Sequence, residues 1–369
     1  MQTMTDISQQ MQDLLDQMVA QGRERGLQLA VYHKGQLIID ICSGTADASG
    51  RPMQLDTLVP IFSVGKGLVA TIIHLLVERG KLTYDMPIAK VWPEFAQNGK
   101  QGILLRHALS HTAGLQLMPP GLKLEDILDW QKMCAGLAGA TPASVPGAQQ
   151  VYHAVTFGWL LGEVARRVDG RPFTELLRDE ICRPLGITDL FTGLADSEQS
   201  RVAILEEQFA PGATPTVPNV GFPADVAAAM MPLYAWMNMP QVRSACIPAS
   251  NGVASARALA RLYAALLPGG VDGVELLPPT RIRKATVRQM PNTAQDNPPR
   301  MSLGYFLGGP ADIMSSRISA FGHGGYGGSI GFADPRHQLA VGLTKNLFCP
   351  QGAQNQIIHD LRKALGIPQ

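Results

Sequence analysis

The stretch Asp56-Thr57-Leu58-Val59-Pro60-Ile61-Phe62-Ser63-Val64-Gly65-Lys66-Gly67 decides how this 369-residue chain is read. It carries a serine and a lysine three residues apart, followed by Leu68 to Val77, a run that is apolar almost all round. A helix apolar on every face is a buried helix. A helix beginning near Ser63 puts both side chains on one face, about one turn apart, with the serine amide at the positive end of the helix dipole. Lysine is rarely buried without a partner or a task. The structural alternative is that Ser63 caps a core helix and Lys66 snorkels to solvent, because S-x-x-K recurs by chance.

On either side of this stretch the patterning changes twice. Residues 6–22 carry Ile7, Met11, Leu14, Leu15 and Met18 at helical spacing. Two β-rich runs, 27–32 and 37–41, flank Lys34-Gly35 and predict a hairpin. The apolar run after Lys66 stops at Arg79-Gly80, a basic residue and a glycine of the kind that closes helices. Residues 81–245 are rich in helical patterns (124–138, 157–168, 173–182) and loops, with Pro, Met and aromatic residues crowded into 211–247. A helical period returns over 253–267, strand signals follow at 303–307, 330–333 and 339–344, and Ile357, Ile358, Leu361 and Leu365 mark a last amphipathic helix. Strands near both ends and helices between them predict an α+β fold. Its mainly antiparallel sheet, flanked by helices, is assembled from the two chain ends. The expected division is a discontinuous α/β domain of 1–85 and 246–369 with a helix-rich domain, 86–245, inserted in it. A cleft between two such units is a usual place for a site.

Composition narrows the function classes. Hydrophobic residues make up 46% and charged residues 17%, which argues for a well-packed globular protein and against disorder. A formal net charge of +1, 31 basic against 30 acidic residues, offers no electrostatic case for nucleic acid or an anionic membrane as partner. Cysteines at 42, 134, 182, 246 and 349 are scattered, odd in number and free of CxxC spacing, against a disulfide framework or a structural zinc. Met1 to Gln21 lacks an apolar signal core, and no run approaches the about 18 apolar residues of a membrane span. The expectation is a protein of a reducing, cytoplasmic compartment, without cofactor or metal; oligomeric state leaves no mark in the sequence.

Four groups of residues compete for the chemistry. Gly327-Gly328-Ser329-Ile330-Gly331 matches G-x-S-x-G, but that elbow needs a strand before the serine and a helix after it. Ser329 instead follows a glycine run and precedes a strand pattern, so a close backbone approach is the better reading. His107 and His111 have i,i+4 ligand spacing, yet no Glu lies between them and no third ligand is near, which favours structural roles. Ser63 with Lys66 is the third group. A serine hydroxyl needs a base to take its proton, and lysine serves only when neutral, which burial in an apolar site promotes. Tyr152, between Pro146-Gly147 and an apolar helical run, is the candidate to relay that proton; simple packing at a helix start is its structural alternative. The fourth group is His323-Gly324-Gly325-Tyr326, where glycines would let substrate approach backbone N–H groups, or merely form a turn.

Taken in order, these segments resemble the serine β-lactamase and penicillin-binding-protein superfamily, with the class C β-lactamase-like esterases, the family VIII carboxylesterases, as the nearest pattern. Asp56–Lys66 is similar to its S-x-x-K entry. The segments Gly80–Pro87 and Leu104–Leu115 look like its next two signatures, Pro146-Gly147 with Tyr152 like its tyrosine motif, and His323-Gly324-Gly325 like the counterpart of its K-T-G triad. The resemblance implies a β-lactamase-like fold in which Ser63 attacks an acyl carbonyl and Lys66 and Tyr152 share the general-base work. It also implies an oxyanion hole from the Ser63 and Tyr326 amides and a substrate-binding wall from His323, Gly324 and Gly325. Two departures matter. Tyr152-His153-Ala154 lacks the amide of a Y-x-N motif, and His323 stands where a lysine would grip a β-lactam carboxylate. A histidine that is mostly uncharged near neutral pH removes a charge-assisted contact of about 1.5–3 kcal/mol. Short uncharged esters therefore fit better than anionic antibiotics; an amidase or peptidase, weak β-lactam hydrolysis, or a non-catalytic scaffold of the same fold are the alternatives. Substrate specificity is expected to lie in 115–145 and 211–247.

The two competing serines predict opposite outcomes. With a short-chain p-nitrophenyl ester, Ser63→Ala is expected to abolish hydrolysis while Ser329→Ala retains it; the reverse result would transfer the nucleophile to Ser329.

Overall fold

The computed structural model describes residues 4–208, 221, 224–289, 301–308, 319–348 and 352–367. Residues 211–220, 222 and 223 of the expected specificity segment, and Cys349, lie outside the described residues. Helix α1 spans Met4–Ala20, and the hairpin forms as β1 (Gly26–His33) and β2 (Gln36–Gly44). Lys34 and Gly35, both at positive φ, make its turn. Helix α2 runs from Gly65 to Glu78, with Gly80 at φ +71 just past its end. Four more strands come from the far end of the chain: β3 (Phe306–Leu307), β4 (Phe321–Gly324), β5 (Ile330–Asp334) and β6 (Leu339–Lys345). The six form one sheet in the order β2-β1-β6-β5-β4-β3, antiparallel throughout.

Strand alternation sorts this sheet into two faces. Leu27, Leu29 and Val31 share one face with Val341, Leu343, Ile330 and Phe332. That face is covered by α1, through Ile7, Met11, Leu15 and Met18, and by the last helix, through Ile357, Ile358 and Leu361. The opposite face is built from small residues, Ala30, Ala340, Gly342, Gly331 and Ala333. The helix Ala256–Ala264 therefore packs close against it. A Cβ on Gly342 would lie 2.1 Å from the Ala256 carbonyl oxygen, and one on Gly331 would lie 2.6 Å from the Tyr263 ring. His323 lies on this second face, opposite Gly331, toward α2. The hydrophobic core continues from α2 into the helices of the middle of the chain, including Thr156–Asp169 with Phe157, Trp159, Leu160 and Leu161 fully buried.

Three expected elements differ in detail. The strand expected over 303–307 is reduced to Phe306–Leu307, because Gly304 at φ +92 turns the chain just before it. The expected helix 253–267 starts only at Ala256. Ser255 caps it by accepting the Ala258 N–H, and Val253–Ala254 instead forms a small strand between Val59–Pro60 and Leu190–Phe191. The 173–182 helix is broken by a wider turn at Arg178–Cys182 before ending at Gly186 in the left-handed conformation.

One buried side chain ties the sheet to the segment that leads into the site. Gln28, on β1, is 2% exposed. Its Nε2 donates to the carbonyls of Gln54 (2.6 Å) and Thr57 (3.0 Å), and its Oε1 accepts from the Ala256 N–H (2.9 Å) and the Thr344 hydroxyl (2.7 Å). Every hydrogen-bonding position of the amide is used. Gln28→Met keeps volume but strands these partners, each at about 1–3 kcal/mol. Urea unfolding is expected to show a loss of at least about 3 kcal/mol; a change under about 0.5 kcal/mol would mean that the cross-link carries no stability.

Candidate active site

Ser63 sits in a single 3₁₀ turn, Phe62–Val64, immediately before α2. Its side chain makes no capping bond, so the helix-cap alternative does not hold. Phe62 is forced to φ +47, a strained conformation for a bulky residue, and its ring is braced by Tyr326 (5.8 Å) and Phe348 (5.4 Å). Glycines let neighbouring backbone close in on this turn. A Cβ on Gly65 would lie 2.3 Å from the Pro248 carbonyl oxygen, and one on Gly325 would lie 2.3 Å from that of Ile61. The His323-Gly324-Gly325 run thus abuts the serine turn. Beyond it the Gly325 N–H donates to the Ser329 carbonyl (2.8 Å), which folds Tyr326 back beside Phe62.

Lys66 follows one turn later and is fully buried. Its Nζ lies 2.9 Å from Ser63 Oγ, 2.5 Å from the Ala154 carbonyl oxygen and 3.1 Å from the Ala249 carbonyl oxygen. Among the described residues no carboxylate offsets its charge, and burial alone pulls its pKa well below the ordinary lysine value. Two of these neighbours are carbonyls, which can only accept; the third, the serine hydroxyl, accepts from Nζ and has a proton of its own to give.

Tyr152 completes the cluster from the loop before the helix Thr156–Asp169. Lys66 Nζ stands 4.8 Å from its ring centroid. Burial pushes its phenol above the usual range, and a hydrogen bond with Ser63 works in the opposite direction. A phenol so raised is neutral near pH 7, suited to pass a proton rather than to hold a negative charge. Its ring packs between His111 (4.8 Å) and His323 (6.1 Å), with Phe306 at 6.0 Å.

Three buried histidines hold this arrangement. His111 accepts the His153 N–H at Nδ1 (2.9 Å) and gives its carbonyl to the Val151 N–H (2.9 Å). His153 donates from Nδ1 to the Val151 carbonyl (2.6 Å) and accepts the Leu115 N–H at Nε2 (3.0 Å). The Thr156 hydroxyl donates to the Leu115 carbonyl (2.8 Å). Residues 111–115 are therefore stitched to 151–156, which fixes both Tyr152 and the Ala154 carbonyl. His323 donates from Nδ1 to the Gly324 carbonyl (2.7 Å), leaving Nε2 an unprotonated, buried acceptor. Burial first, then the nearby Lys66, lower His323 to about 3; burial likewise lowers His153 to about 4, and His111 falls well below its ordinary value.

The structure thus brings together Ser63, Lys66, Tyr152 and the His323-Gly324-Gly325-Tyr326 run, and leaves the other candidates apart. Ser329 precedes β5 rather than a helix, and its Oγ accepts the Lys345 N–H (3.4 Å). His107 closes a helix start by accepting the Leu104 N–H (3.2 Å), and among the described residues no group of His, Cys, Asp or Glu is placed to hold a metal ion. Among those residues, no helix is long and apolar enough to cross a membrane. Sequence reasoning missed Ala154 and Ala249. They act through carbonyl groups, which every residue has, so no side-chain signal marked them.

Residues 11–364 match the family described as Beta-lactamase. The chain is 35% identical over 336 residues to "Esterase/beta-lactamase LipL" of Mycobacterium tuberculosis, covering 86% of this chain and 76% of that protein. Among solved structures, a penicillin-binding protein homolog from Caulobacter crescentus superposes with a TM-score of 0.86 at 36% identity, over 97% of this chain and 98% of the other. A family VIII carboxylesterase gives 0.85 at 31% identity, over 97% of each.

The buried histidines predict an acid-side loss of stability. His74 is held neutral too, lowered to about 3 by burial between Tyr84 and the Leu303 carbonyl. Each of His74, His153 and His323 has a folded pKa below the unfolded value near 6.5. Their contribution is present above about pH 6.5 and is lost as the unfolded chain takes up protons below it, at up to about 1.4 kcal/mol per pH unit per histidine. Urea titrations from pH 7 to 4.5 should show this fall, and His153→Gln should flatten it; an unchanged slope would place His153's titration elsewhere.

Proposed function

The chain belongs to the beta-lactamase family, and on that premise we propose that it is a serine esterase cleaving short, uncharged acyl esters. Ser63 is the nucleophile, Lys66 the general base, and Tyr152 the proton relay. The observation that carries this reading is the environment of Lys66: no counter-ion among the described residues, two carbonyl acceptors, and Ser63 Oγ at 2.9 Å as its third neighbour. The names of a 35%-identical esterase/beta-lactamase and a 31%-identical family VIII carboxylesterase support the ester assignment.

In this mechanism Ser63 Oγ attacks the ester carbonyl as its proton passes to Lys66 Nζ, directly or through the Tyr152 hydroxyl. The backbone N–H groups of Ser63 and Tyr326 stabilise the tetrahedral oxyanion, a contribution of about 3–4 kcal/mol per donor in comparable sites. Collapse breaks the carbonyl–alkoxy bond and the departing alcohol takes the proton. Water, deprotonated by the same base, then hydrolyses the acyl-enzyme and restores Ser63. His323, Gly324 and Gly325 form the substrate wall. His323, neutral at working pH, provides no cation for a substrate carboxylate, which supports uncharged esters over β-lactams.

Intact-mass analysis after fluorophosphonate treatment tests this reading, with a single adduct expected on the peptide that carries Ser63. Lys66→Arg replaces a base that can be neutral with a guanidinium that cannot, and should lower kcat for a p-nitrophenyl ester by about 10²–10⁴-fold. Absence of an adduct, or near-normal turnover by Lys66→Arg, would overturn the assignment.

A further inference from the structure

The short helix Pro240–Ser244 holds an arginine that the esterase mechanism does not use. Arg243 is 5% exposed, yet its Nε and Nη1 are sealed from solvent without an acceptor. Its backbone is well satisfied: the N–H donates to the Met239 carbonyl (3.2 Å) and the carbonyl accepts the Leu194 N–H (2.8 Å). Only the guanidinium is left over. Other sheltered arginines in this chain meet carboxylates, as Arg201 does at Asp189 (2.7 Å) and Arg281 at Glu78 (2.6 Å). Among the described residues Arg243 has no such partner, and burial lowers its pKa. A lysine or histidine in this position would shed its proton, but arginine cannot. A permanently charged guanidinium with two of its three nitrogens desolvated and unpaired is unfavourable unless an anion meets it.

We infer that Arg243 anchors a binding site for a small organic carboxylate, beside the loop that supports Lys66. An edge of the guanidinium, Nε with Nη2 or Nη1 with Nη2, matches a carboxylate through two parallel N–H···O bonds. One cation balances one negative charge, and no second basic group faces it, so a dianionic phosphate would be left half-compensated. The site is mechanically joined to the serine centre. Asn251, 1% exposed, donates to the carbonyls of Val242 (2.6 Å) and Ala245 (2.6 Å) and accepts the Ile247 N–H (3.0 Å). Two residues before Asn251, the Ala249 carbonyl receives Lys66 Nζ. An anion at Arg243 therefore stiffens the loop that supplies one of the two carbonyl contacts of Lys66. The inference concerns binding and stands whether or not the esterase reading does.

Thermal unfolding of the full chain at fixed ionic strength tests it, with sodium acetate or benzoate replacing sodium chloride. The wild type is expected to show a saturable rise in Tm with either carboxylate, and Arg243→Met to show none. Arg243→Lys, which keeps the charge but loses the fork, should need at least about tenfold more carboxylate for the same shift. If Arg243→Met does not fold, the lysine variant decides. A wild-type Tm indifferent to carboxylate, an equal response in either variant, or a larger response to inorganic phosphate than to carboxylate would overturn the proposal.

Discussion

A lysine amine removed from water, with no carboxylate to hold its charge, is the constraint around which this structure is arranged. Burial alone keeps Lys66 well below its ordinary pKa, and each pKa unit corresponds to about 1.4 kcal/mol. The surrounding structure has to sustain that. It does so with α2 buried over nearly its whole length, and with two backbone carbonyls that accept hydrogen bonds without supplying the negative charge that would restore the ammonium form.

Those carbonyls come from distant parts of the chain, so the fold has to fix both loops. Around Ala154 the work is done by histidines. His111 and His153 pass hydrogen bonds between 111–115 and 151–156, and a neutral imidazole, with one donor and one acceptor, suits a buried relay of backbone groups. Around Ala249 the work is done by Asn251. Gln28 ties the sheet to residues 54–57, which lead into the serine turn, while Gly65 and Gly325 permit backbone contacts that any side chain would block. The positive φ of Phe62, held by two aromatic rings, stores strain at the residue before Ser63.

His323 sets the electrostatic character of the same cleft. A lysine there would add a cation near Lys66. A histidine lowered to about 3 adds none, and its ring packs on Tyr152 and Phe306 instead. The neutral set of His111, His153 and His323 leaves the region around Ser63 apolar and uncharged, which is consistent with the preference for uncharged esters proposed for it.

The sequence by itself determined the family and the antiparallel sheet drawn from both chain ends, and it picked out Ser63, Lys66, Tyr152 and the glycine run as the candidate set. Those features are local: S-x-x-K spacing, period-2 strands at 27–44 and 330–345, and a tyrosine before an apolar helix can all be read within a few residues. Ser329 was separated from Ser63 on the same local grounds, because a strand rather than a helix follows it. The tertiary structure alone decided what neutralises Lys66 and what the histidines do. A carbonyl at Ala154 or Ala249 has no side-chain signature, and His107 and His111 at i,i+4 look the same in sequence whether they bind a metal or relay backbone hydrogen bonds. Arg243 belongs with them. Its charge is plain in the sequence, but the absence of an acceptor is a property of packing, because desolvation depends on every chain segment that closes around a side chain.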